Sequence, residues 1–277
     1  MNKKRIIKIK WKNIIACSII LVCLITLILS LTNIKSWTKE NKETKKQLEI
    51  INENTKIEEK KDNENTIIIN QELDVPKTSP YWEYTKMELI NVSFSKLKKI
   101  NSNTVGWIQV NDTNINYPFV QTKNNTYYLD HSFDKTYNKA GWVFLDYRNN
   151  INYLDKNTIL YAHSRLNETM FGSLKKTLDK KWLKNTNNHV IKLSTETENS
   201  LWQVFSIYHI KETSDYLKIS FNTNDEFNSF SDMLINRSIY DFKTSISEND
   251  KILTLSTCYN DDERLVLHAK LIKLQKR

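Results

Sequence analysis

The sequence predicts a mostly antiparallel β-barrel decorated by helices and tethered behind an N-terminal apolar segment. Three observations predict it. Eight short runs rich in β-branched and aromatic residues follow position 105, bounded by Asn, Asp and Gly turn clusters. Residues 14–31 carry no charge. The 277 residues are 39% hydrophobic and 26% charged, which excludes a disordered or fibrous protein. With only 3 Gly and 3 Pro, the turns must rest on Asn and Asp.

At the N-terminus, residues 1–12 carry Lys3, Lys4, Arg5, Lys8, Lys10 and Lys12 and no acid. The run Ile14 to Leu31 (IIACSIILVCLITLILSL) would reach roughly 27 Å as a helix at ~1.5 Å per residue, close to the hydrocarbon thickness of a bilayer. Basic residues before the run orient its start toward the cytoplasm. Residues 1–12 therefore read as a cytoplasmic basic segment, 13–32 as an uncleaved transmembrane signal anchor, and the remainder as extracellular. A cleaved signal peptide is the alternative, but the run exceeds the usual apolar core of one and SLTNIKSW offers no A-x-A-like site. The same basic cluster accounts for the net charge of +9: without those six, 35 basic residues face 32 acidic ones. The excess is a membrane flank, so no nucleic-acid partner is expected.

Residues 33–65 are rich in Lys, Glu and Asn with sparse apolar positions, and 33–78 reads as an extracellular stalk or linker, partly helical, with little of it buried. The island IIIN at 67–70 has no assignable place. Pro76 and Pro80 mark the boundary to a folded domain over 79–277. There, Trp82, Met87, Ile90, Phe94, Leu97 and Ile100 recur at helical spacings, predicting one or two amphipathic helices across 81–100. The eight strand-like runs are 106–110, 116–120, 141–147, 157–163, 189–194, 201–210, 251–258 and 264–273. Between the last of these, Phe227, Phe230, Met233 and Leu234 predict a surface helix within 225–238. No internal repeat is present.

Cys17 and Cys23 fall in the apolar run, which leaves Cys258 as the single thiol of the domain. One thiol makes neither an intramolecular disulfide nor a multi-cysteine zinc site. It is buried and inert, an intermolecular link, or a nucleophile. Its polar Ser-Thr-Cys-Tyr-Asn setting at a strand end favours the nucleophile over the small buried hydrophobe that a free cysteine commonly is. Alternation in ILTLSTC puts Ile252, Thr254, Ser256 and Cys258 on one face, with the Leu residues on the other. In RLVLHAKL, Arg264, Val266, His268 and Lys270 share a face. With the Leu faces inward, Cys258 and Arg264 meet on an outer, groove-facing surface, where a cation favours the reactive thiolate.

A cysteine nucleophile needs proton management, usually by histidine. His163 ends an apolar strand and opens a loop, the kind of position where catalytic residues sit. His268, mid-strand on the face of Arg264, reads as a surface or groove residue, and His189, after a turn, as solvated. His131 and His209 lie in polar stretches and read as structural. Position ranks His163 first and leaves the others open. No HExxH, paired cysteines or Asp-rich calcium loop occurs, so no metal or cofactor is expected.

TLSTC with an Arg on the next strand and an upstream YAHS–TMF segment resembles a sortase. The helical leader before NTVGWIQV, the segment YPFVQTKNNTYYLDHSFDKTYNKAGWVFLDYRN and the helix before the cysteine strand are similar to the class B branch. The resemblance spans roughly 81–273. The chain departs from the family's histidine motif at Ala162, where Gly is usual, and at Ser164, commonly Asn; both bear on loop shape. The resemblance implies an eight-stranded barrel with N-terminal helices and a surface helix before the cysteine strand. It implies catalytic roles for His163, Cys258 and Arg264, with Ser256 near the substrate and Asn260 or Asp261 as candidates to orient His163. It further implies attack on the Thr carbonyl of a C-terminal sorting signal, a thioacyl-enzyme, and transfer to an amine of a peptidoglycan precursor or a pilin, all at the outer membrane surface. Competing readings are a Cys/His peptidoglycan peptidase or L,D-transpeptidase, whose residue order and cysteine motif do not match, and a non-catalytic membrane-tethered binding domain.

Overall fold

The computed structural model describes residues 11–69, 76 and 78–277. Of the basic segment 1–12, all but Trp11 and Lys12 lies outside the described residues, as does Asn70 of the IIIN island. The chain divides into two units, one up to Lys45 and one from Lys46 to Arg277. Helix α1 (Trp11–Asn54) supplies the described part of the first. Its large apolar side chains between Ile14 and Leu31 are exposed, and an 18-residue window has a mean hydropathy of 3.0, long and apolar enough to cross a membrane.

The second unit begins with the last turns of α1, where Ile51 is buried in the main core. Strands β1 (Ile57–Lys60) and β2 (Thr66–Ile68) follow, then helix α2 (Tyr81–Lys86), strand β3 (Leu89–Val92) and helix α3 (Ser95–Ile100). The expected helical stretch across 81–100 is thus interrupted by a strand. Leu89–Val92 pairs antiparallel with Ile57–Lys60, and the Val92 N–H donates to Ser194 Oγ at 3.1 Å. The helical spacing of Ile90, Phe94 and Leu97 arises from a strand running into a helix, all three side chains being buried. Residues 46–69 also differ from a solvated stalk. Besides Ile51, Asp62 pairs with the buried Lys273 at 2.8 Å.

All eight expected runs form strands: β4 (Thr104–Val110), β5 (Asn116–Val120), β6 (Phe144–Leu145), β7 (Asn157–Tyr161), β8 (Val190–Thr195), β9 (Glu198–Lys211), β10 (Ile252–Cys258) and β11 (Glu263–Lys276). They hydrogen-bond in the order β10-β7-β6-β5-β4-β8-β9-β11, and β11 pairs back to β10. This closes an eight-stranded barrel without free edges; β2 adds to the outside of β11. Most pairs are antiparallel, but β5–β6 and β7–β10 are parallel. The interior is filled by Trp107, Phe119, Leu160, Leu193, Trp202, Leu253, Leu255 and Leu267, among others.

After β7 come a 3-10 turn and helix α4 (Lys180–Lys184), and between β9 and β10 lies helix α5 (Asn224–Arg237). Thr223 caps α5, its Oγ1 accepting from Glu226 N–H at 3.1 Å. Phe227, Phe230 and Leu234 of α5 pack with Phe205, Ile252 and Val266 as a second core on the barrel exterior. Both faces of β10 and β11 are therefore covered, and the expected outer face holds buried Thr254, Ser256 and His268. Within β10 only Cys258, the last residue, is exposed.

Candidate active site

Strand pairing brings three chain segments to one rim of the barrel. Because β10 and β11 form a tight antiparallel pair, Cys258 and Arg264 are directly opposite, at a Cα spacing of about 4.5–5.5 Å for such pairs. Because β7 runs parallel to β10, Tyr161 is level with Ser256, and the chain beyond it carries His163 alongside Cys258. Thr257 Oγ1 donates to the Ala162 carbonyl at 2.7 Å and locks the two strand ends together. Ser256, Cys258, His163 and Arg264 all line one cavity of about 430 Å³.

His163 is half-buried. Its Nε2 lies 2.7 Å from the Leu129 carbonyl oxygen. A carbonyl only accepts, so Nε2 carries the donated proton and the lone pair of the neutral ring lies on Nδ1. Gly141 packs against the same pair: a Cβ there would sit 2.9 Å from Leu129 O and 3.0 Å from His163 Cδ2, and its φ is +61°. Arg264 Nη2 contacts Glu212 Oε1 at 2.7 Å, and Glu212 also lines the cavity. Ser256 is buried, its Oγ 3.0 Å from the hydroxyl of Tyr216.

Neither turn residue named from the resemblance is seen orienting the imidazole. Asn260 Oδ1 accepts the N–H groups of Asp262 and Glu263, and its Nδ2 donates to Glu263 Oε2 at 2.6 Å, which ties it to the β10–β11 turn. Asp261 is exposed in that turn. The main-chain oxygen of Leu129 orients His163 instead.

The other histidines have separate duties. His268 is fully buried, with burial pushing its pKa down to about 3. Thr254 Oγ1 donates to Asn157 Oδ1, so His268 Nδ1 must donate to Thr254, and Nε2 accepts from Tyr208. His268 is thus a neutral core residue, not a groove residue. His189 is also buried, contrary to its expected solvation; its Nε2 is 3.0 Å from Leu183 O, and burial lowers its pKa. His131 stacks on Tyr127, and His209 stacks on Tyr259. Of the five, His163 alone lines the cavity.

Sequence reasoning missed Glu212, Leu129, Asn125 and Tyr161, all of which line this cavity. Tyr161 carried a signal, since it shares a strand face with His163 two residues on. The other three come from loops or a strand end distant in sequence and carried none.

A family model described as Sortase domain matches residues 108–272. Sortase B of Listeria monocytogenes is 34% identical over 180 residues, covering 64% of this chain and 72% of that protein. Among solved structures, sortase B from Bacillus anthracis in complex with AAEK1 superposes with a TM-score of 0.66 at 32% identity, over 88% of this chain and 99% of that one. The Staphylococcus aureus sortase B–substrate complex superposes with a TM-score of 0.61 at 33% identity, over 65% of this chain and 84% of that one. A closed eight-stranded barrel with the cysteine strand behind an inserted helix agrees with these likenesses, and the chain belongs to the sortase family, class B, the cysteine transpeptidases that anchor surface proteins.

Proposed function

We propose that this protein is a membrane-anchored extracellular transpeptidase that cleaves a C-terminal sorting signal after Thr and passes the new acyl end to a cell-wall or pilin amine. Cys258 is the nucleophile, His163 the proton donor and acceptor, and Arg264 the stabiliser of developing negative charge. The observation that carries the reading is the shared cavity: an exposed thiol at a strand end with one imidazole and one guanidinium on the same walls.

The chemistry follows from those groups. Cys258 thiolate attacks the Thr carbonyl carbon, and the electrons move onto oxygen, where the planar fork of Arg264 donates hydrogen bonds. Collapse of this adduct breaks the C–N bond, and protonated His163 gives its Nδ1 proton to the departing amine. The acyl group is then held as a thioester. An incoming amine loses its proton to neutral His163 as it attacks, and the thiolate leaves. Ser256, in the cavity wall two residues before the nucleophile, lies along the path of the bound peptide. The apolar run of α1 and its basic flank support an anchor with the N-terminus cytoplasmic and the catalytic unit outside, where sorting-signal protein and lipid-linked acceptor meet.

The test is mass spectrometry of the full-length protein in detergent, incubated with a sorting-signal peptide, with and without an amine acceptor. A thioacyl adduct on Cys258, absent in Cys258→Ala and released as an amide when the acceptor is added, is the expected result. A folded protein whose Cys258 does not react with a small methanethiosulfonate would overturn the reading in favour of a binding module.

A further inference from the structure

Asp146 is completely buried, just beyond the short strand β6. A carboxylate taken out of water is costly unless its oxygens are fully paired. Here five donors meet it. Arg148 gives its backbone N–H and Nε to Oδ1, both at 2.9 Å, and Nη2 to Oδ2 at 2.8 Å. The Tyr161 hydroxyl and Asn125 Nδ2 donate to Oδ2 at 2.9 and 3.0 Å. Its own backbone is also fixed, with N–H donating to Ile159 O and the carbonyl accepting from Gln121 Nε2. Burial alone would raise the carboxyl pKa, but the Arg148 and Tyr161 bonds together hold it below the usual range. Burial beside Asp146 keeps Tyr161 protonated, and therefore a donor.

The groups so held converge on one place. Asn125 and Tyr161 line the cavity that contains Cys258, and so does Leu217. Leu217 belongs to the long β9–α5 connection and reaches the barrel through its carbonyl, which accepts from Arg148 Nη2 at 3.0 Å. The carboxylate thus links the β5–β6 loop, strand β7 and, through Arg148, the β9–α5 connection, which Asn157 Nδ2 of β7 also holds at the Tyr216 and Lys218 carbonyls.

We infer that Asp146 is a positioning residue for peptide binding: through Tyr161, Asn125 and the Arg148–Leu217 link it holds the groove walls at a fixed separation. Building on the function proposed above, the groove is then formed before the peptide arrives, and the ordering of three segments is not charged against binding. Asp146 touches neither Cys258 nor His163, so its removal acts on peptide affinity and leaves the reactivity of the thiol alone.

The experiment compares wild type, Asp146→Asn and Arg148→Gln as full-length proteins in detergent, with three readouts. The rate of Cys258 modification by a small methanethiosulfonate reads the thiol without the groove. Steady-state cleavage of a sorting-signal peptide separates KM from kcat. Backbone hydrogen exchange over 215–218 reads the tether itself, with no substrate present. For Asp146→Asn we expect thiol modification within about twofold of wild type, KM raised at least about fivefold with kcat little changed, and exchange over 215–218 at least about tenfold faster while β8 and β9 keep their protection. Arg148→Gln, which removes the Leu217 link together with the Nε and Nη2 bonds to Asp146, should show the faster exchange and a rise in KM at least as large. Unchanged exchange over 215–218 in both variants, an unchanged KM, or thiol reactivity and kcat falling together would each overturn the assignment. Should wild type turn over no sorting-signal peptide, the proposed function fails while the exchange measurement still decides whether Asp146 is the tether.

Discussion

Arg264 Nη2 lies 2.7 Å from Glu212 Oε1, so the cation opposite Cys258 already holds a carboxylate before any peptide enters. Glu212 is 69% exposed, and such pairs are worth about 0–1 kcal/mol. Glu212→Gln is expected to leave the thermal midpoint unchanged while raising the rate of Cys258 modification, about two- to threefold at low salt and less at high salt, because a negative charge near the sulfur is removed. Arg264→Lys should lower kcat/KM at least about a hundredfold, since a point charge cannot reproduce the planar fork. Wild-type kcat/KM in Arg264→Lys would take Arg264 out of the mechanism.

The His163–Leu129 contact makes Gly141 sensitive. A Cβ at Gly141 would come within 2.5 Å of Tyr128 O as well as crowding Leu129 O and His163, at a backbone angle that side chains rarely adopt. Gly141→Ala is expected to cost roughly 1–3 kcal/mol in a denaturant titration and to lower kcat more than it raises KM. His163→Ala should lose cleavage across the whole pH range in which the protein stays folded. Retained cleavage in His163→Ala would move the proton transfer to another group.

His268 sets an acid limit on the fold. Its pKa falls from 6.5 to about 3 on folding because it is buried. Below pH 6.5 the unfolded chain binds a proton that the native state refuses. The contribution is therefore complete above that pH and is lost on acidification toward pH 3, at about 1.4 kcal/mol per pH unit. Urea midpoints measured against pH should decline through this window. His268→Gln should be less stable at neutral pH yet show a flatter acid limb. An identical acid slope in the two proteins would assign the loss elsewhere.

Lys273 anchors the segment ahead of the barrel. Its buried ammonium donates to Asp62 Oδ1 at 2.8 Å and to the carbonyls of Thr85 and Met87, both at 2.7 Å. Lys273→Met leaves two carbonyls without this donor, at about 1–3 kcal/mol each. Limited proteolysis should then cut within 61–65, between β1 and β2, faster than in wild type. Equal cutting rates would mean that Asp62 is not held by this contact.

How far the fold could be read from sequence depended on whether a side chain's surroundings were local. The eight barrel strands were legible because runs such as NTILY and NYPFV are rich in β-branched or aromatic residues and begin at Asn. Residues 141–147 kept only Phe144 and Leu145 as strand, since Gly141 turns the chain and the Trp142 backbone N–H is spent on the Tyr128 carbonyl. IEEK at 57–60 is wholly exposed and carries three charges in four residues, so nothing in its pattern announces a strand; pairing with Leu89–Val92 makes it one. His268 was misjudged because α5 covers the face that alternation assigned to solvent. In the cavity, Cys258, Arg264 and His163 were legible from strand ends and from the resemblance. The Leu129 carbonyl and Glu212 were not, since a backbone oxygen has no residue identity and Glu212 reaches Arg264 only through the β9–β11 ladder.

The ring closes through β10 and β11, and β11 serves three neighbours at once: β9, β10 and β2. On a growing polypeptide the sulfur of Cys258 is therefore made before the cation that faces it, and before the strand that seals the wall behind it. Until β11 has been added, β9 and β10 are two raw edges and the thiol faces no guanidinium. The last strand of the chain is thus the one that turns an open sheet into a ring and completes the rim around the sulfur.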